Sequence, residues 1–184
     1  MWVREIWVGG VGGDSLLRTG GFADTCAPMS STTSSGPGAA GRWAGVFPAV
    51  TTQFHQDQSL DLEGTARHCE VLIASGVAGL IMGGSLGENQ TLQAEEKRAV
   101  IKCAVEAAAG RVPVLTGVAE TNTRAAAAYM RDCEALGVSG YMVMPPMVYK
   151  ADGRELMHWF RTLAAVTPLP WMLYNNPIGY TADV

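Results

Sequence analysis

The chain has 184 residues, 48% of them hydrophobic, and a formal net charge of -4; that suits one or two domains with a sizeable core. No basic cluster interrupts the acidic balance, which argues against nucleic acid as a partner. No run approaches the roughly 18 apolar residues of a membrane span, so no membrane association is expected.

Residues 1–41 differ in texture from the rest. They are rich in Gly, Ser and Thr, as in Ser30-Ser31-Thr32-Thr33-Ser34-Ser35-Gly36-Pro37-Gly38, and carry no sustained hydrophobic period. Met1-Trp2-Val3-Arg4-Glu5-Ile6-Trp7-Val8 is compatible with a short strand, and it lacks the uninterrupted apolar core of a secretory signal. The expectation is a disordered leader, or an upstream extension of a reading frame that starts at Met29. Residues 42–184 are expected to form the folded domain.

From Trp43 onward, apolar runs and helical spacing alternate. Val46–Thr51, Gly79–Met82, Val112–Thr116, Gly140–Met144 and Pro170–Tyr174 read as strands. Between them lie four sets of apolar residues at three- and four-residue steps. These are Leu62, Ala66, Cys69, Leu72 and Ile73; Val100, Ile101, Ala104, Val105 and Ala108; Ala125, Tyr129, Cys133 and Leu136; and Leu156, Trp159, Phe160 and Leu163. Asp152 and Glu155 are spaced as a capping box for the fourth helix, and Gly76, Gly110 and Gly137 follow the ends of the first three. The repeat is near 30 residues, the length of a βαβ unit, and implies parallel strands covered by helices. Periodicity leaves two architectures open: a five-stranded doubly wound sheet, or part of a (β/α)8 barrel, which normally takes about 250 residues.

Cys26, Cys69, Cys103 and Cys133 stand far apart without a Cys-x-x-Cys pair. They read as reduced thiols in a cytoplasmic protein, three of them helix core positions, rather than as a disulfide or zinc framework. His55, His68 and His158 lack metal-ligand spacing, so no metal is expected.

In parallel α/β proteins, functional groups gather where strands end and loops toward the helices begin. Here those ends carry Thr51, Thr52 and Gln53; Gly83-Gly84-Ser85-Leu86-Gly87-Glu88; Thr116, Gly117 and Glu120; Pro145 to Lys150; and Tyr174-Asn175-Asn176-Pro177. A glycine turn that opens a helix after a buried strand presents several backbone N–H groups at one spot, which suits a carboxylate or phosphate. Hydroxyls and one tyrosine accompany it, while carboxylate pairs and histidines are missing. That inventory fits anion recognition with proton shuttling through hydroxyls.

The set Phe47-Pro48-Ala49-Val50-Thr51-Thr52, Gly83-Gly84-Ser85-Leu86-Gly87-Glu88, Pro145-Pro146 and Leu173-Tyr174-Asn175-Asn176-Pro177 resembles the dihydrodipicolinate synthase / N-acetylneuraminate lyase family in order and spacing across residues 43–184. The resemblance implies a (β/α)8 TIM barrel truncated after about five βα units, and a class I Schiff-base lyase acting on pyruvate or another 2-keto acid without metal or organic cofactor. It assigns Tyr174 to proton transfer, with Ser85 as its hydroxyl partner. It gives Gly84, Ser85 and Leu86 to the substrate carboxylate, places Thr51 at the substrate, and makes Glu88 a structural cap of the turn. Full-length members are expected to be homo-oligomers.

Two departures bear on the reaction. Synthases of this family usually carry two adjacent hydroxyl residues where this chain has Ser85-Leu86, and a relay tyrosine where it has Val148, with Tyr149 one step away. The pattern leans to a deaminase acting on a hydroxylated pyrroline carboxylate. The alternatives are a 4-hydroxy-tetrahydrodipicolinate synthase of lysine biosynthesis and, in another class, a non-catalytic five-stranded anion-binding module. The nucleophilic lysine of the family ends the sixth strand, beyond Val184. Of Lys97, Lys102 and Lys150, the first two read as the solvated face of the second helix and the third as a loop residue, so the 184 residues alone are expected to be inactive.

Overall fold

The computed structural model describes residues 6–9, 43–180 and 184. The remainder of the expected leader, Arg42 and residues 181–183 lie outside the described residues. In chain order the elements are β1 (Ile6–Gly9), α1 (Leu62–Ala74), β2 (Leu80–Met82), α2 (Ala94–Ala108), β3 (Val114–Val118), α3 (Thr123–Leu136), β4 (Gly140–Val143), α4 (Gly153–Ala164), β5 (Trp171–Tyr174) and α5 (Pro177–Tyr180). The sheet order is β1-β5-β4-β3-β2. Strands β2 to β5 are parallel, and β1 lies antiparallel on the outer edge of β5, with Ile6 opposite Tyr174.

The side-chain alternation of the strands decides between the two architectures. Leu80, Met82, Val114, Val118, Tyr141, Val143 and Trp171 pack in one cluster with Cys69, Ile101, Ala126, Cys133, Trp159 and Leu163 of α1 to α4. Ile81, Leu115, Met142, Met172 and Tyr174 point the other way, into a cluster that contains no residue of α1 to α4. A doubly wound sheet has helices on both faces. Helices on one face, with strands β2 to β5 added in sequence order, are the half-built wall of a barrel. The face opposite the helices is the future lumen.

The first expected strand differs from expectation. Val46–Thr51 runs beside β2 and makes a parallel bridge between Ala49 and Ile81, but it does not form a continuous strand. Ala78 N donates to Val46 O at 2.8 Å, Ile81 N to Pro48 O at 3.0 Å, and Val50 N to Ile81 O at 2.9 Å. Pro48 has no N–H to give, which interrupts the ladder at its middle. The other strands shift by a residue or two. β3 extends to Val118, and β5 starts after Pro170. The short α5 was not anticipated; Pro177 at its first position has the fixed φ that suits a helix start.

The helices begin where the chemistry of their caps dictates. Asp152 Oδ1 accepts from the N–H groups of Arg154 and Glu155 at 2.8 and 3.0 Å, while Asp152 N donates to Glu155 Oε2 at 2.8 Å. Gln93 and Glu96 form a second capping box at α2, a pair not recognised in the sequence. The core is closed by buried hydroxyl and indole donors on carbonyls: Tyr141 to Met130 at 2.7 Å and Trp159 Nε1 to Met144 at 3.0 Å.

Burial sets the chemistry of the core thiols and phenols. It pushes Cys69 from 9.0 up to about 11 and Cys133 from 9.0 up to about 12, and it raises the Tyr129 and Tyr141 phenols above their ordinary 10.0. Each of these groups holds its proton more tightly folded than unfolded. The stability they confer is therefore complete below about pH 9 and drains as pH climbs toward the folded values. Urea unfolding is expected to show stability falling by on the order of 5 kcal/mol between about pH 8 and pH 11, at about 1.4 kcal/mol per pH unit by which each thiol is displaced. In the same experiment Cys103, only partly buried, is expected to react with a thiol reagent well before Cys69 and Cys133. Equal labelling rates would show that the core is open.

Candidate active site

The parallel strands deliver their C-terminal ends, and the loops that follow them, to one edge of the sheet. After β2 the backbone turns sharply. Gly83 is left-handed at φ +58°, and Gly84 is extended at φ −77°, ψ −177°. A single 3-10 turn spans Ser85–Gly87 with no side-chain cap, and Glu88 closes it in the left-handed region at φ 58°. Turns of this kind, glycines leading into a helical turn after a buried strand, suit an anion at their first amides. Ser85, Leu86 and Glu88 are exposed.

The turn is held from behind. Thr52 Oγ1, buried, donates to Gly87 O at 2.8 Å, tying the turn to the segment that precedes α1. Asn89, wholly buried, directs Nδ2 toward Gly117 O at 3.5 Å, and its Oδ1 meets no donor. Gly117 on β3 has no room for a side chain, since a β-carbon there would stand 2.5 Å from Gly83 O. Thr116 Oγ1 and the Tyr129 hydroxyl lie 2.7 Å apart and buried. Beside them Lys97 Nζ sits 2.6 Å from Glu120 Oε1 and 5.8 Å from the centre of the Tyr129 ring. Lys97 was expected on a solvated face. Its side chain is only 12% exposed, because α2 turns that residue toward the loop after β3.

Tyr174 is the last residue of β5 and is 7% exposed. Its side chain belongs to the inner-face cluster with Ile81, Leu115, Met142, Met144 and Met172. Met142 links the tyrosine's cluster to the turn, as a β-carbon on Gly84 would stand 3.5 Å from its terminal methyl. Thr51 lies at the same edge, exposed, and its hydroxyl accepts from the Gln53 amide at 3.0 Å. Asn176 caps α5, accepting from Gly179 N at 3.0 Å. Tyr149, adjacent to the expected relay position, turns away: its hydroxyl donates to Glu155 Oε1 at 2.8 Å, and that bond raises the phenol above its ordinary value. Val148 is 65% exposed.

Among the described residues no group of His, Cys, Asp and Glu is arranged to hold a metal ion, and none of their helices is long and apolar enough to cross a membrane. A cleft of about 560 Å³ opens between the start of α3 and the start of α4, lined by Thr121, Asn122, Pro146, Tyr149 and His158 among others. It lies in the helix layer, and Thr51, Gly84, Ser85, Leu86 and Tyr174 do not line it.

A parallel sheet with helices on one face, carrying a glycine turn and a strand-end tyrosine at its C-terminal edge, is the architecture of part of a TIM barrel. Residues 42–183 match the dihydrodipicolinate synthetase family, and the chain belongs to it. It is 41% identical over 135 residues to an uncharacterized DapA-like lyase of Rhizobium meliloti, a match covering 73% of this chain and 45% of that protein. To 4-hydroxy-tetrahydrodipicolinate synthase 1 of Halalkalibacterium halodurans it is 39% identical over 132 residues, covering 72% and 45%. Among solved structures it is similar to YagE of Escherichia coli K12, a member of the dihydrodipicolinic acid synthase family crystallised with pyruvate. The TM-score is 0.74 at 37% identity, over 77% of this chain and 48% of YagE. The chain thus spans about half the length of the relatives it matches.

Proposed function

We propose that these residues form the substrate-binding part of a Schiff-base lyase acting on pyruvate or another 2-keto acid, with the imine-forming lysine supplied from outside the 184 residues. The observation that carries this reading is the joint position of the Gly84–Leu86 turn and Tyr174. Both stand at the C-terminal edge, and Met142 packs between the tyrosine's apolar cluster and the turn. In this reading the amides of Ser85 and Leu86 hold the substrate carboxylate, preorganised donors that need no rearrangement as charge develops. Tyr174, partnered by Ser85, moves the proton at the carbon next to the imine. A phenol acts as a base there because an adjacent iminium favours its ionised form. Thr51 contacts substrate at the rim. YagE, solved with pyruvate, supports a keto acid as ligand.

Among the family's reactions the reading leans to deamination of a hydroxylated pyrroline carboxylate rather than to the synthase of lysine biosynthesis. Two observations favour that lean. Leu86 replaces a hydroxyl residue in the cradle, and the Tyr149 hydroxyl is engaged with Glu155, leaving a synthase-type relay without its second tyrosine. The complete protein is taken to be a cytoplasmic homo-oligomer, and the free Cys69, Cys103 and Cys133 fit a reducing compartment. The test is to read the coding sequence in frame beyond Val184, express the continuation and assay it. An apolar strand ending in lysine, with ammonia released from the hydroxypyrroline carboxylate, is the expected result. Dihydrodipicolinate-type condensation of pyruvate with aspartate semialdehyde would overturn the lean, and a continuation without any such lysine would overturn the lyase.

A further inference from the structure

Three buried polar groups behind the glycine turn converge on the space a side chain at Gly83 would occupy. A β-carbon placed on Gly83 would stand 3.3 Å from Asn89 Nδ2, 3.3 Å from Thr116 Oγ1 and 3.4 Å from the Tyr129 hydroxyl. These side chains come from three separate elements: the loop before α2, strand β3 and helix α3. Gly83 itself sits at φ +58°, a conformation open to glycine without steric cost. Burying three polar side chains here is unfavourable unless they are bonded, and Asn89 leaves one buried acceptor, Oδ1, without a donor. An apolar trio would pack the same space at lower cost, so stability alone gives no reason for the arrangement.

We infer that Tyr129 is a positioning residue for the carboxylate cradle: its bond to Thr116, with Asn89 alongside, fixes the left-handed Gly83 and so aims the amides that follow. This rests on the reading of Gly84–Leu86 as a carboxylate site. The ring of Tyr129 is itself held, since the Lys97 ammonium lies against its face and is anchored by Glu120. Four links therefore run from helices α2 and α3 to the turn: the Lys97–Glu120 pair, its contact with the Tyr129 ring, the Tyr129–Thr116 bond, and Thr116 Oγ1 standing 3.3 Å from where a β-carbon on Gly83 would lie. None of these residues touches the substrate in this reading. Each acts through the backbone it supports.

The experiment compares the parent chain with Tyr129→Phe, Thr116→Val and Thr116→Ser by ¹⁵N spectra of the backbone amides, with and without pyruvate. Tyr129→Phe and Thr116→Val break the same bond from opposite ends. Both are expected to move the Gly83–Glu88 amides and to weaken pyruvate binding by roughly three- to tenfold, and the double variant is expected to do little more than either one. Thr116→Ser keeps the hydroxyl and is expected to restore the parent spectrum. If melting temperature falls in the first two variants while the turn amides and pyruvate affinity stay at the parent values, the bond is only structural and the inference is overturned. Should pyruvate leave the parent turn unmoved while Tyr129→Phe still moves it, the positioning stands and the cradle reading falls. If one variant fails to fold, the other breaks the same bond and decides.

Discussion

Gly117→Ala is expected to lower the melting temperature by roughly 5–10 °C and to abolish pyruvate binding at the glycine turn. The β-carbon it introduces would stand 2.5 Å from Gly83 O, 3.0 Å from Gly83 C and 3.1 Å from Gly84 Cα. All three are backbone atoms, so no side chain can swing aside. Either β3 moves away from β2 or the turn is pushed outward. Overpacking of this kind costs about 1–3 kcal/mol or more, and a kilocalorie shifts the melting point of a chain this size by about 2–4 °C. The functional loss exceeds the stability loss because the displaced atoms are those that set the direction of the Ser85 and Leu86 amides. Gly153→Ala is the control: nothing lies within 4 Å of a β-carbon there, and alanine favours the first turn of α4. Thermal melting with a pyruvate titration checks both, and a Gly117→Ala chain that melts and binds like the parent would show that the strand and the turn are not in contact.

Incubating the 184-residue chain with pyruvate and borohydride is expected to add no mass to any lysine. A Schiff base needs an amine inside the lumen, desolvated and close to the keto carbon. Lys97 is tied to Glu120 behind the turn, in the helix layer. Lys102 lies 3.8 Å from Glu106 on an exposed stretch of α2. Lys150 is exposed in the loop before α4. None of the three lysines lies on a strand of the sheet. Intact-mass spectrometry reads the outcome directly. A stoichiometric adduct on Lys150 would place the loop inside the lumen and refute the proposed division of the site.

Much of the fold was legible because α1 to α4 and most strands follow a single rule. The three- and four-residue spacing of Leu156, Trp159, Phe160 and Leu163 marks a buried helix face, and these four residues are indeed buried in α4. Apolar runs such as Trp171–Tyr174 mark strands, yet both faces of a parallel strand are covered, so the runs alone could not say which face the helices take. The choice between barrel and doubly wound sheet needed the structure or the family motifs. Val46–Thr51 reads as a strand by composition, but the missing N–H of Pro48 breaks its ladder, and only the pairing with Ile81 reveals this.

The shape of the candidate site was legible where glycines set the backbone. Glycines followed by Ser85 after a buried strand announce an open turn, and Tyr174-Asn175-Asn176-Pro177 announces a strand end. What holds the turn was hidden. Thr52, Asn89, Thr116 and Tyr129 are separated by 28 to 35 residues in two of their bonds to the glycine segment and its neighbours, distances at which no local pattern operates. Tyr129 reads as one more apolar position of α3 until its hydroxyl is seen against Thr116. Lys97 reads as solvated because the pattern of α2 cannot register Glu120 arriving from the loop after β3.

In the proposed site the Ser85 and Leu86 amides and the Tyr174 side chain serve one ligand. The most direct measurement is a pyruvate titration of the ¹⁵N-labelled chain, followed at the Ser85 and Leu86 amides and at the ring signals of Tyr174. Saturable shifts at all three with one shared dissociation constant are predicted, along with their loss when acetamide, which has no carboxylate, replaces pyruvate. Shifts confined to the α3–α4 cleft, or a Tyr174 ring that stays silent while the turn responds, would contradict it.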